Sequence, residues 1–171
     1  SLNAFATLGG NVVLYTALLE KLPNENALTF LIAHELAHIA HRHPITLVGE
    51  SAAVGTGLSL LLGFSDLGIL EQAGLLTKLT FSRDMEEQAD ASASRVVKNI
   101  YGHTKGAASL FEVLQSAHSG FKPPAIFTTH PGISQRIERL QAEQYPGMQT
   151  TPLPKGFKRW LKANEADAES S

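Results

Sequence analysis

The sequence has 171 residues, of which 43% are hydrophobic and 18% charged, and its formal net charge at pH 7 is -2. This length and balance suit one globular domain with one buried core. The sequence contains no cysteine, which excludes disulfide frameworks, cysteine-rich zinc sites and cysteine nucleophiles. It also lacks the basic block that a nucleic-acid partner requires, so no such partner is expected.

The predicted elements begin with β structure over residues 2–19, where two apolar runs flank the turn signal Gly9-Gly10-Asn11. A helix is expected over residues 25–42, because apolar side chains recur there at helical spacing and Pro44 ends the pattern. Residues 45–80 are rich in Gly, Ser and Leu, and we expect helical pieces there without firm boundaries.

Helices are also expected over residues 75–99 and 105–117, and a last helix follows His130 and runs to Leu140. The chain then changes character to a linker, a basic and aromatic segment, and an acidic tail. We therefore predict one folded domain over residues 1–146 and a linker with a tail over residues 147–171. The predicted fold class is α+β, mainly helical with a small antiparallel β-sheet.

The five residues His34-Glu35-Leu36-Ala37-His38 form the pattern HExxH. Positions i and i+4 of a helix lie one turn apart on one face, so both imidazoles can converge on one metal ion. Zinc lowers the pKa of a water that it holds towards about 7, and the carboxylate of Glu35 can take the proton. The alternative is an exposed helix with scattered His and Glu, because this short pattern also arises by chance.

The third metal ligand has to come from another part of the chain. His41 lies about 10.5 Å along the helix axis from His34, so three successive side chains cannot all meet one tetrahedral ion. The position of the third histidine in a related motif is occupied here by Pro44. We interpret His41 and His43 as surface or packing residues.

A carboxylate ligand is available in residues 82–90. Glu86 and Asp90 are four residues apart and share one helix face with Ala89 and Ala93, whose small side chains allow a close approach of another helix. This arrangement suits Glu86 as a metal ligand and Asp90 as the acceptor for an N–H of a ligand histidine. The alternative is an acidic helix that is simply solvated.

With these motifs in this order, the chain resembles the family of zinc metallopeptidases that includes HtpX and the CAAX prenyl proteases, and most of all its periplasmic, BepA-like branch. The resemblance runs from about residue 2 to residue 140, although the repeat array of that branch has no match here. Four segments carry it: an edge hairpin with Asn3-Ala4-Phe5-Ala6 and Gly9-Gly10-Asn11-Val12-Val13-Leu14, a zinc helix with His34 to His38 and Arg42-His43, a third-ligand helix with Ser82-Arg83, Glu86 and Ala89-Asp90, and a late motif with Pro123-Pro124, Thr129-His130-Pro131, Arg136-Ile137 and Leu140.

The resemblance implies a gluzincin-type fold that binds one zinc ion, with Glu86 rather than Glu87 as the third ligand. It also implies that His130 lies at the active site, where it either helps to stabilise the transition state or blocks the metal in a resting form. For Arg136 three interpretations stay open: it orients a carboxylate, it orients the oxyanion, or it makes a surface ion pair. An edge strand that pairs with an extended substrate is expected beside the active site, formed by Asn3, Ala4, Phe5 and Ala6.

Together these features predict a zinc-dependent metalloendopeptidase that hydrolyses extended or misfolded polypeptides in the bacterial cell envelope, in the periplasm or at the membrane. The alternative function is a latent, chaperone-like zinc module in which His130 blocks the metal.

Two segments are candidates for peripheral membrane contact: the uncharged residues 51–65, which are too few to span a bilayer, and residues 155–162, where cations alternate with large apolar side chains. For each segment the alternative is packing within the domain.

Overall fold

The structure is a computed structural model and describes residues 2–51, 80–116, 125–142 and 145–169. Two short strands, β1 (Ala4–Ala6) and β2 (Val12–Leu14), form an antiparallel hairpin in which Phe5 lies opposite Val13. The prediction of a mainly helical α+β fold with a small antiparallel sheet is confirmed. In the described part of the chain the helices are α1 (Thr16–Leu19), α2 (Glu25–Ala40), α3 (His43–Ser51), α4 (Arg83–Tyr101), α5 (Ser109–Ser116), α6 (Ala125–Thr129), α7 (Ile133–Ala142) and α8 (Phe157–Glu169).

The β structure predicted through residue 19 is wrong for its last four residues, which form α1. Leu18 and Leu19 lie in α1, and Leu22 follows three residues after its end. All three are buried in the hydrophobic core. A strand would have turned Leu18 and Leu19 to opposite faces of the hairpin, so burial of both favours the helix.

Helix α2 crosses the centre of the domain and carries the HExxH pattern. The side chain of Asn24 caps its beginning by accepting a hydrogen bond of 2.8 Å from the backbone N–H of Ala27. The helix ends at Ala40, two residues before the predicted boundary, because Arg42 adopts the left-handed conformation with φ of 59°. The chain turns at that point and α3 begins.

Helix α4 packs along α2 and brings the second motif to the first. Its beginning is capped by the hydroxyl of Ser82, which accepts from the backbone N–H of Met85 at 3.2 Å. The helix therefore begins at Arg83. The predicted beginning at residue 75 is wrong, because residues 80–82, directly before Arg83, are not helical. Glu86, Ala89, Asp90, Ala93 and Val97 form its buried face.

Other predicted boundaries shift for local reasons. Helix α5 begins at Ser109 rather than at residue 105, because Gly106 has φ of 89°, which a right-handed helix does not allow. Residues 52–79, with most of the candidate membrane segment 51–65, lie outside the described residues, and so does the Pro123-Pro124 part of the late motif.

The C-terminal segment is attached to the rest of the domain. The backbone N–H of Thr151 donates to Asn26 Oδ1, and its carbonyl oxygen accepts from the N–H of Glu25, both at 2.8 Å. Leu161 of α8 lies in the core, and α8 contacts α1. The domain boundary at residue 146 stays a prediction. Among the described residues, no helix has the length and the apolar character that crossing a membrane would take.

The packing of α8 predicts a difference between two neighbouring side chains. Leu161 is 2% exposed and Trp160 is 60% exposed. We expect Leu161→Ala to lower the free energy of unfolding by about 2–5 kcal/mol, because it leaves a cavity in the core. Trp160→Ala, the matched control, should change it by about 0.5 kcal/mol or less. Urea denaturation measures both, and equal losses would contradict the packing of this helix.

Candidate metal centre

Four buried side chains from three parts of the chain meet at one point. His34, His38, Glu86 and His130 each offer a ligand atom, and these atoms all lie within 4.8 Å of one another. The two histidines of α2 face the same way because they are one helical turn apart. Glu86 reaches them from α4, and His130 directly follows α6, where its N–H bonds to the carbonyl oxygen of Ile126 at 2.8 Å.

The spacing of the ligand atoms fits a tetrahedral zinc ion. His34 Nε2 and His38 Nε2 are 3.0 Å apart. Glu86 Oε1 lies 3.4 Å from His38 Nε2, and Glu86 Oε2 lies 3.6 Å from His34 Nε2. Zinc holds such ligands at about 2.0–2.2 Å, which in a tetrahedron separates them by about 3.4 Å. The three side chains therefore need little rearrangement to share one ion.

Glu35 places a buried carboxylate beside the cluster. Both of its oxygens are buried and lack a hydrogen-bond partner among the described residues. The Nε2 atom of His130 lies 3.7 Å from Glu35 Oε1, beyond hydrogen-bonding distance. Since a buried carboxylate without a partner is unfavourable, this position fits a group that receives protons from a ligand at the cluster.

Asp90 and Arg136 surround the cluster with a second layer of contacts. Asp90 Oδ1 lies 3.0 Å from His34 Nδ1, so an N–H there leaves Nε2 of His34 free to face the cluster. Arg136 donates to both oxygens of Asp90, at 2.7 Å from Nε and 2.6 Å from Nη2, and its Nη1 pairs with Glu86. Of the three interpretations for Arg136, the structure shows contact with carboxylates, in a side chain that is 2% exposed.

The protonation states suit metal binding. Burial lowers the pKa of His38 to about 3, so its imidazole is neutral at pH 7. Burial alone would raise the pKa of Glu86, but the charge of His130 and hydrogen bonds from His130 and His38 lower it overall. Burial likewise opposes protonation of His130, yet the charges of Glu86 and Glu35 raise its pKa. The carboxylates of Glu86 and Glu35 thus favour a positive charge at the cluster.

The sequence model of Peptidase family M48 matches residues 1–144. The chain belongs to this family of metallopeptidases. It is 31% identical over 154 residues to Beta-barrel assembly-enhancing protease of Escherichia coli (strain K12), an alignment that covers 80% of this chain and 31% of that protein. It is 28% identical over 148 residues to Metalloprotease YcaL of the same strain, covering 81% and 57%. With Protease HtpX homolog of Desulfatibacillum aliphaticivorans, identity is 30% over an alignment of 213 residues, covering 98% and 67%.

The resemblance to this family and the assignment to the proteases are therefore confirmed. The chain spans less than a third of the first of these relatives, 31% of its length. The substrates and partners of the whole M48 proteins are consequently matters for proposal in this chain.

Two side chains beside the candidate centre make contacts that the sequence did not predict, and one of them is His43, which was interpreted as a surface or packing residue. His43 is buried, and its Nδ1 lies 2.9 Å from His38 Nδ1. His41, by contrast, is exposed and contacts Ser92 Oγ at 3.0 Å. Helical spacing carried no signal for His43, because this residue lies beyond the end of α2. Phe81 also escaped prediction, although its ring centroid is 3.9 Å from that of His38.

The predicted substrate strand lies in β1, which packs on α2. Its ladder pairs Asn3 with Tyr15 at 3.2 Å and Thr7 with Asn11 at 2.8 Å, on either side of the pair Phe5 and Val13. In an antiparallel ladder alternate residues bond to the partner, so the backbone groups of the residues between these pairs point away from β2. Those residues are Ala4 and Ala6. The strand is buried together with Asn3, so a substrate could pair with it only after the edge is uncovered.

The centre predicts opposite results for two adjacent glutamates. Glu86 is buried in the cluster, whereas Glu87 is exposed and pairs with Arg139 at 2.8 Å. We expect Glu86→Ala to weaken zinc binding by more than about 100-fold, since even the partners of metal ligands contribute 10–100-fold. Glu87→Ala should leave the affinity within about twofold, because an exposed ion pair contributes little. Competition with a chelator measures both, and the reverse ranking would exclude Glu86 as a ligand.

Proposed function

We propose that this domain is a zinc-dependent metalloendopeptidase that hydrolyses peptide bonds of extended or misfolded polypeptides during quality control of bacterial envelope proteins. One observation carries the proposal. Three side chains hold ligand atoms at tetrahedral spacing, next to the partnerless carboxylate of Glu35. The name of the E. coli relative, which refers to β-barrel assembly, supports the envelope as its location.

His34, His38 and Glu86 would hold one zinc ion per chain. Two histidines and a glutamate are a ligand set typical of catalytic zinc, which keeps its fourth position open. Bound there, zinc supplies Lewis acidity, which acidifies a coordinated water and polarises a carbonyl group. Asp90 positions His34 through the contact of 3.0 Å, and Arg136 holds Asp90 in place.

Glu35 and His130 would carry out the proton transfer and the charge stabilisation. Glu35 accepts a proton from the attacking water and passes it to the leaving amine, as a general base and then a general acid. His130 Nε2 has no hydrogen-bond partner among the described residues and faces Glu35, so it can donate to the oxyanion of the transition state. The products are a carboxylate and an amine.

The polypeptide would bind as an added strand along β1, formed with Asn3, Ala4, Phe5 and Ala6. The register supports this, because the backbone groups of Ala4 and Ala6 point away from β2. The N–H of Ala4 donates to Asn3 Oδ1 at 3.0 Å, so a substrate strand would have to replace that hydrogen bond. Strand addition recognises the peptide backbone more than its side chains. This mode suits a protease whose substrates share an unfolded state rather than a sequence.

The proposal is tested by Glu35→Gln. Purified protein should contain one zinc per chain in both forms, because the substitution removes the base without removing a ligand. Hydrolysis of unfolded casein should fall by about 10²- to 10⁴-fold, the usual contribution of a general base. Glu50→Gln, on the exposed part of α3, is the matched control and should keep full activity. Activity of the Glu35 variant within a few fold of wild type would refute the assignment.

A second candidate function has its own supporting observation. His130 Nδ1 lies 2.9 Å from Glu86 Oε1 and 3.4 Å from His34 Nε2, close enough to become a fourth ligand. A zinc site closed by four protein ligands has no position for water and is typical of structural sites. The domain would then be a latent zinc module that binds polypeptides as a chaperone does.

His130→Ala distinguishes the two functions. If His130 stabilises the oxyanion, as proposed, casein hydrolysis should fall by about 10²- to 10³-fold, the contribution of one such donor. If His130 closes the metal site, hydrolysis should rise, because the fourth position opens. The exposed His41→Ala serves as the control. Unchanged hydrolysis would mean that His130 has neither role.

We also propose peripheral contact with an anionic membrane through α8. Trp160 is 60% exposed, and the cations Lys155, Lys158, Arg159 and Lys162 around it are exposed as well. Leu161 meanwhile attaches the helix to the core, so packing of the helix and exposure of its cations coexist. Exposed cations beside an aromatic side chain favour the interface of an anionic bilayer.

This proposal predicts that the domain co-sediments with liposomes that contain phosphatidylserine and not with neutral liposomes. Each cation near an anionic surface contributes about 1 kcal/mol. The triple variant Lys158→Gln, Arg159→Gln, Trp160→Ala should therefore lose most of the bound fraction while leaving Leu161 in the core. Sedimentation that does not change between wild type and this variant would remove the membrane from the proposed function.

A further inference from the structure

The second ligand histidine has a buried contact on the side that faces away from the cluster. His38 directs Nε2 towards His34 and Glu86, at 3.0 Å and 3.4 Å. Its other nitrogen, Nδ1, lies 2.9 Å from Nδ1 of His43. Both rings are buried, so a hydrogen bond between them does not compete with water. The contact has the length of a good hydrogen bond between two ring nitrogens.

The backbone reaches this contact through an unfavourable conformation. Arg42, directly before His43, is the one residue other than glycine with positive φ in the described part of the chain, at 59°. That conformation costs about 1–2 kcal/mol for a side chain with a Cβ atom. It ends α2 and returns His43 to a position beside His38, which regular helical spacing five residues later would not provide. Strained residues of this kind concentrate at functional sites, where neighbouring contacts stabilise them.

When His38 binds a metal through Nε2, its hydrogen bond with His43 can have only one direction. The proton of the neutral His38 ring is then on Nδ1, which donates, and Nδ1 of His43 has to accept. His43 therefore carries its own proton on Nε2. The rings of Phe81 and His41 pack against His43, with centroids 6.3 Å and 5.4 Å away.

We propose that His43 is a positioning residue of the metal centre, whose Nδ1 accepts the hydrogen bond of His38 Nδ1–H and thereby holds His38 Nε2 towards the metal. The inference rests on the proposed function, because it requires a metal at the cluster. It pairs each ligand histidine with its own acceptor: Asp90 for His34, at 3.0 Å, and His43 for His38. Such partners fix the tautomer and the ring orientation of a metal ligand.

The choice of a histidine rather than a second carboxylate follows from the local charge. The centre already contains the buried carboxylates of Glu35, Glu86 and Asp90, against the single guanidinium of Arg136 in the same cluster. A further carboxylate at position 43 would add a fourth buried negative charge to this centre. A neutral imidazole supplies the acceptor without that charge.

Two variants separate the hydrogen bond from the packing. In His43→Asn the amide oxygen occupies a place close to that of Nδ1 and can still accept, whereas His43→Leu keeps comparable volume without an acceptor. Zinc dissociation constants are measured by chelator competition for both variants, and His41→Leu is the control on the exposed neighbour. We expect His43→Leu to weaken zinc binding by about 10- to 100-fold and His43→Asn to stay within about threefold of wild type.

These measurements distinguish failure of the role of His43 from failure of the proposed function. Wild type that binds zinc and a folded His43→Leu variant with unchanged affinity would overturn the role of His43 alone, and so would equal losses in the leucine and asparagine variants. Wild type that takes up no zinc would overturn the proposed function together with this inference. Nitrogen-15 NMR of the zinc-loaded wild type gives an answer that needs no variant. A proton on Nε2 of His43 supports the proposal, and a proton on its Nδ1 excludes it.

Discussion

The centre depends on the hydrogen bonds and the ion pair that the buried guanidinium of Arg136 makes. It contacts Asp90 through two hydrogen bonds and Glu86 through an ion pair, and it lies 4.4 Å from the centroid of the Phe111 ring. Breaking such a buried pair by removing one partner typically costs about 3–5 kcal/mol, because a charge is left uncompensated. Arg136 is therefore required by the fold before any chemistry takes place. Burial alone would raise the pKa of Asp90, but hydrogen bonds from His34 and Arg136, together with the charge of Arg136, lower it overall.

That charge balance also explains why the cluster suits a metal ion. Three carboxylates are buried around one guanidinium. Burial opposes protonation of His130, but the charges of Glu86 and Glu35 raise its pKa overall. A divalent cation at the point where His34, His38 and Glu86 converge would supply positive charge directly. The same ion would give the partnerless oxygens of Glu35 a polar neighbour through the water that it holds. Ligand geometry and electrostatics thus favour the same occupant.

The approach of α4 to α2 is what delivers Glu86 to the histidines. The buried face of α4 carries alanines at positions 89 and 93, and α2 buries Ala33 and Ala37 beside its two histidines. Small side chains let two helix backbones come close, so a short carboxylate side chain can reach across the interface. Larger residues at these positions would move the helices apart and draw Glu86 away from the histidines. The close packing of α2 and α4 and the convergence of the ligand atoms therefore depend on the same small side chains.

Local features of this protein could be read from the sequence, because they depend on residues within one or two turns of each other. The pairing of His34 with His38, and of Glu86 with Asp90, follows from helical spacing. Only the tertiary structure decided which distant groups meet. Arg136 joins Asp90 across 46 positions of sequence, and His130 joins Glu86 across 44. His43 reaches His38 through a left-handed Arg42 that no periodicity predicts, since the energy of that turn is compensated by contacts that exist only after the chain has packed.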